Sequence, residues 1–229
     1  MRIEKIGAFI ALHVLAAVPA FAAERLPLPE KGPVTVEFAI SEMANVIDLA
    51  GAWEVFQDAH EKKGFRLLIV SDKKGPVHMT GGMTVMADYS YEDAPPAELV
   101  SVGAQRGSPA LTAWLQARHA GLGIIMSVCT GAFELGKAGL LDGKLATTHH
   151  DFYSSFHEKF PEVTLVPGNR YVQSDDTIFT AGGLTSGIDL ALHMVALYYG
   201  EKDAESTAQY MEYSGTGWRS PVNASPMPK

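Results

Sequence analysis

Residues 121–141 read GLGIIMSVCTGAFELGKAGLL, and the chain's single cysteine, Cys129, sits where this apolar run gives way to a helix start. Gly123 to Val128 has the length and composition of a buried parallel strand. Gly131 to Gly139 has the small residues that a helix needs when it leaves a strand sharply. Ser127 and Gly131 flank Cys129 at minus two and plus two, close to the small-x-nucleophile-x-small spacing of a nucleophile elbow. A buried parallel strand that turns directly into a helix is a unit of α/β architecture. A thiol at that turn faces free backbone N–H groups and the positive end of a helix, which favours thiolate. The same thiol also suits an inert core position, since free cysteine is among the most buried residue types.

The remaining chain fits that architecture. Val34 to Ile40, Phe65 to Ser71 and Leu99 to Gly103 read as strands. Between and after them, helices are expected over Asn45 to Lys63, with Val46, Leu49, Trp53, Val55 and Phe56 on one face, and over Pro109 to His119. Val77 to Tyr89 suggests short strands around Gly81-Gly82. Lys144 to Thr148 reads as a strand and Asp151 to Phe160 as a helix. Val163 to Val166, Tyr171 to Gln173 and Thr177 to Thr180 read as strands, and Gly187 to Tyr199 and Asp203 to Tyr213 as helices. Alternating strands and helices predict an α/β, parallel-sheet three-layer sandwich. No internal repeat or long linker divides it. Sites in such sheets lie beyond the carboxyl ends of strands. Ser41–Asp48, Gly103–Gln105, Cys129, His149–His150 and Gly182–Gly183 all follow strand ends.

The ends of the chain read differently. Arg2 and Lys5, the apolar run Ile6 to Val18 and Ala20-Phe21-Ala22 match a secretory signal peptide cut near Ala22, which places the mature protein in the periplasm or outside the cell. Residues 23–33 form a Pro-rich lead-in, residues 34–213 the domain, and residues 214–229 an extended C-terminal arm. A lone cysteine makes no internal disulfide. In an oxidising compartment it is buried or used. The net charge of −8 and the absence of any Lys/Arg run argue against nucleic acid and membrane-surface partners.

SVCTGAFELGKAGLLDGKLATTHHDF (Ser127 to Phe152) and TAGGLTSGIDLAL (Thr180 to Leu192) resemble the ThiJ/PfpI superfamily, and VIDLAGAWEVF (Val46 to Phe56) resembles its first helix. The similarity is strongest to the isonitrile hydratase branch and to the amidase-like domains of AraC-type regulators. It implies the flavodoxin-like, class I glutamine amidotransferase-like fold and a homodimer, for which the aromatic first helix is a contact face. It makes Cys129 the nucleophile and Asp48 its acid–base partner, with Glu54 a second acidic position. It assigns the amides of Gly103, Ala104 and Thr130 to an oxyanion-type pocket. Thr130 stands where peptidase-like members carry His, against a protease. Val102-Gly103-Ala104 departs from the family's Pro-Gly-Gly. The chain shows no helix-turn-helix after the domain, so a full AraC-type regulator is not expected.

The resemblance therefore predicts a cysteine-dependent enzyme acting on a small carbon–nitrogen substrate, isonitrile hydration being the specific form. A non-catalytic periplasmic ligand-binding or sensor module and a stress-protection protein are the alternatives. No cofactor is expected. For Asp48 the competing reading is a helix cap. His149 orients the thiol, binds substrate, or merely ends a strand. A metal site at His149, His150, Asp151 and His157 is not expected, because adjacent strand residues point to opposite faces.

Overall fold

The computed structural model describes residues 26–59, 64–121 and 123–219. The expected signal segment, its expected cut near Ala22 and residues 220–229 of the expected arm lie outside them. The strands are β1 (Val34–Ala39), β2 (Phe65–Ser71), β3 (Gly75–His78), β4 (Thr84–Ala87), β5 (Tyr89–Ser90), β6 (Leu99–Val102), β7 (Ile124–Ser127), β8 (Leu145–Ala146), β9 (Thr164–Leu165), β10 (Tyr171–Gln173) and β11 (Ile178–Ala181). The helices are α1 (Val46–Asp58), α2 (Pro109–Ala120), α3 (Gly131–Lys137), α4 (Tyr153–Lys159), α5 (Ser186–Tyr199) and α6 (Glu201–Tyr210).

Seven strands form one sheet in the order β10-β11-β7-β6-β1-β2-β5. Every pairing in it is parallel except that of β10 with β11. Its central strands are apolar on both faces because both faces are covered. Successive residues serve opposite layers: Met126 packs with α1, α5 and α6 through Val55, Phe56, Leu190 and Ala204, and Ile125 packs with α2, α3 and α4 through Leu111, Leu115, Leu135 and Phe156. Gly51 lets α1 approach α5: a Cβ there would lie 3.2 Å from Ile188 Cγ1. The mostly parallel sheet with helices on both faces is the expected flavodoxin-like sandwich.

Topology places the site. From β1 the chain proceeds to β2 and β5 on one side, then returns to β6 on the other. Strand order reverses between β1 and β6, and a crevice opens above their carboxyl ends. Asp48 follows β1, Gly103 and Ala104 follow β6, and Cys129 follows β7 on the next strand.

Two segments differ from the sequence expectation. The strand expected over Lys144 to Thr148 contains only Leu145–Ala146. Beyond it Thr147 N–H donates to Thr180 Oγ1 (2.9 Å), and Thr148 Oγ1 donates to the Cys129 carbonyl (2.9 Å), so the segment is tied to the elbow instead of to a ladder. The C-terminal arm does not begin extended. Gly217–Arg219 forms a 3-10 turn, Trp218 is buried, and its carbonyl accepts a hydrogen bond from the Tyr171 hydroxyl at 2.8 Å. The large apolar area of one tryptophan outweighs the Gly/Ser-rich composition around it.

Candidate active site

Cys129 has φ 59°, the left-handed region, which costs a residue with a Cβ about 1–2 kcal/mol. The surroundings hold it there. Its N–H donates to Gly182 O (2.8 Å), its carbonyl accepts from Thr148, and Gly131 N–H donates to Val128 O (2.9 Å). Gly131 has no substitute at plus two: a Cβ would lie 2.1 Å from Val102 O. The expected elbow is thus present, with strand β7 ending at Ser127 and α3 beginning at Gly131.

The thiol is buried and interacts with the Asp48 carboxyl and with the backbone N–H groups of Thr130 and Leu184. Asn45, not Asp48, caps α1: its Oδ1 accepts from Ile47 N–H at 3.2 Å. Asp48, in the first turn and 1% exposed, turns inward, and its Oδ2 accepts from Ala104 N–H at 2.8 Å. Burial pushes the Asp48 carboxyl up to about 7, against the lowering effects of the Ala104 N–H and the Cys129 thiol. This acid gains and releases a proton near neutrality, as a general acid–base group requires.

The thiol corrects the sequence reading. Burial, reinforced by the charge of Asp48, pushes it up to about 11, and the Thr130 and Leu184 amides only partly counter this. A seven-residue helix does not offset desolvation. The resting group is a neutral thiol beside a titratable carboxyl. The Leu184 amide is a donor that the sequence reading missed. Its signal was Gly182-Gly183 ahead of α5, a pair that follows a strand end. Leu184 has φ 52°, and Gly183 lies under the His149 ring, where a Cβ would be 2.2 Å from Cδ2.

The strand-end residues also differ from the implied oxyanion pocket. Ala104 N–H is engaged by Asp48, so it positions the acid instead of waiting for a substrate oxygen. Gly103 provides clearance: a Cβ there would meet Asp48 Cβ at 2.7 Å. The Thr130 amide serves the sulfur. Glu54 is exposed, six residues beyond Asp48 and on a different face of α1.

His149 touches the loop that bears Leu184 but is not among the groups acting on the sulfur. Its Nδ1 accepts from Asp151 N–H at 3.2 Å, capping the 3-10 turn His150–Phe152. The two histidines do not point apart. Off the strand, their rings stack at 4.4 Å. His149, His150 and Asp151 bring one donor atom each to within 4.8 Å of one another, so the argument from strand geometry against metal does not apply here.

The model of the DJ-1/PfpI family matches residues 34–197, a span that takes in α1, the elbow and the start of α5. The chain belongs to this family. It is 28% identical over 185 residues to the isonitrile hydratase of Pseudomonas putida, covering 78% of each protein. It is 27% identical to the HTH-type transcriptional regulator GbdR of Pseudomonas aeruginosa over 82% of this chain, and spans about half, 53%, of that regulator. Among solved structures, the AraC family transcriptional regulator from Pseudomonas putida superimposes with TM-score 0.71 at 23% identity, over 78% of this chain and 100% of that one. The ThiJ/PfpI family protein from Pseudomonas syringae gives 0.69 at 25% identity, over 94% and 88%. No helix among the described residues is long and apolar enough to cross a membrane.

Proposed function

We propose that the protein is a cysteine-dependent enzyme acting on a small carbon–nitrogen substrate, and that it hydrates isonitriles. The observation that carries this reading is the Asp48 carboxyl, poised near neutrality, against a neutral Cys129 thiol held by two amides. An isonitrile carbon accepts both a nucleophile and a proton, and this pair offers both. Asp48 takes the thiol proton as sulfur bonds to the isonitrile carbon and returns it to that carbon, giving an S-linked thioimidate. Water adds to the same carbon while Asp48 moves one proton from oxygen to nitrogen. Cleavage of the C–S bond then returns a proton to sulfur and releases the N-substituted formamide, with one water consumed. A raised thiol pKa suits the first step, because thiol and proton arrive together.

Formamide release from a simple alkyl isonitrile, followed by NMR, tests the scheme. Cys129→Ala abolishes turnover, and Asp48→Asn lowers it by about 10²–10⁴-fold, the usual range for a general acid–base group. Turnover retained in Cys129→Ala sinks it.

A second reading draws on the regulator relatives: the same pocket holds a small amide or amine without reaction. Ligand binding unchanged in Cys129→Ala, with no product from any isonitrile, supports that module. The thiol's high pKa counts against stress protection by sulfur oxidation, which follows thiolate character. We also propose export after cleavage near Ala22 and a homodimer. The mature N-terminal mass and light scattering test these.

A further inference from the structure

A small, partly open cavity of about 10 Å³ lies at the Asp48 carboxyl, lined by Asp48, Gln105, Ser101, Asn45, Gly103 and apolar residues of β1, α1 and the turn between them. That is the lower bound of the roughly 10–15 Å³ that one water molecule needs. Among its lining residues two buried oxygens have no hydrogen-bond partner, Asp48 Oδ1 and Gln105 Oε1. The Cys129 thiol acts on the carboxyl without closing a hydrogen bond of good geometry on Oδ1. The Gln105 amide is oriented by its other end: Nε2 donates to Ala39 O at 3.0 Å and to Gly103 O at 3.3 Å. Both its protons are therefore committed, and the oxygen is what remains. Two acceptors do not satisfy each other. Buried acceptors left unpaired each cost about 1–3 kcal/mol, and one small double donor removes both costs.

We propose that this cavity holds a single ordered water donating to Asp48 Oδ1 and Gln105 Oε1, and that Gln105 is thereby a positioning residue for Asp48. With Oδ2 fixed by the Ala104 amide and Oδ1 by the water, the carboxylate cannot rotate away from the thiol. The same water accepts from Asp48 when Oδ1 carries the proton, so the acid is accommodated in both states of its working cycle. Asp48 is the only ionisable side chain of the lining, and the Cys129 thiol is the ionisable group that meets it from β7. The inference rests on the proposed function only for what the Asp48 proton is used for, and its test uses no substrate.

Two measurements decide it. A crystal structure of the wild-type protein, at a resolution that places waters, shows one within hydrogen-bond distance of both oxygens; a dry cavity overturns the proposal even if no variant folds. Infrared titration of the protonated Asp48 carboxyl, with Asp48→Asn as the spectral blank, compares wild type with Gln105→Met, which fills the cavity without an acceptor. The midpoint rises by about one pH unit in Gln105→Met, the equivalent of one lost hydrogen bond to a charged group. An unmoved midpoint overturns the positioning role. Failure to turn over isonitriles would overturn the proposed function and leave both measurements standing.

Discussion

Asp48 lies against the Cys129 thiol, and its charge raises the thiol pKa beyond what burial alone does. The carboxyl that would serve the reaction thus also suppresses spontaneous ionisation of the nucleophile. Asp48→Asn separates the two effects. Removing the charge lowers the thiol pKa, so alkylation by iodoacetamide at pH 8 to 9 accelerates by about three- to tenfold, corresponding to a shift of half a unit to one unit. Turnover falls in the same variant. Alkylation that slows on Asp48→Asn would show that the carboxyl activates the thiol at rest.

Gly131→Ala tests the elbow. The added Cβ would sit 2.1 Å from the Val102 carbonyl, which itself accepts from Val128 N–H at 2.9 Å and cannot withdraw without breaking the β6–β7 connection. Overpacking against backbone is the costly kind, so the variant loses at least ~3 kcal/mol of stability in denaturant melts. A loss under 1 kcal/mol would mean the turn relaxes.

A second buried acid lies far from the thiol. Glu37 on β1 is fully buried and pairs with Arg118 on α2 at 2.9 Å. Arg118 also donates to Ala94 O and Pro95 O and lies over the Trp114 ring. Burial raises Glu37 to about 7 even though Arg118 opposes the shift. Arg118→Met leaves the carboxylate unpaired and costs about 3–5 kcal/mol at pH 8, where it must ionise or take up a proton. The penalty shrinks at pH 5, where Glu37 is protonated. Equal penalties at both pH values, read from urea midpoints, would assign the loss to packing alone.

The parallel sandwich and the elbow were legible in the sequence because each rests on a local pattern: an apolar strand and small residues around Cys129. Asp48 was singled out by the resemblance alone, since an acid in the first turn of a helix suits a cap equally well. The burial of the thiol was not legible. It depends on Leu184 and Asp48, 55 residues downstream and 81 upstream, closing over the sulfur. The role of Ala104 was misread for a similar reason, since a backbone N–H carries no label saying whether an acid or a substrate will take it. His149 and His150 were read as directly following a strand that runs to Thr148, because of its β-branched residues. The Thr147 N–H and Thr148 hydroxyl bonds that end the strand lead to residues distant in sequence.

The buried titrating groups pull stability in opposite directions with pH. His193 on α5 is buried beside Tyr171, and burial depresses it to about 4, against the Trp218 carbonyl that favours its proton. Its unfolded form binds a proton below about 6.5, so its contribution is present above that pH and is lost as pH falls toward 4. Asp48 and Glu37 are raised to about 7, so they favour the folded state in acid and that advantage is lost as pH rises from about 4 to 7. In the wild type the opposing slopes partly cancel between pH 4.5 and 6.5. His193→Phe removes the one that disfavours acid, so the variant becomes more stable on acidification across this interval, by about 2 kcal/mol relative to the wild-type trend. Asp48→Asn does the reverse and removes part of the stability gained on acidification across the same interval. Urea midpoints at pH 4.5 and 6.5 read both slopes, and two variants with the wild-type slope would place these groups in solvent-accessible, unshifted environments.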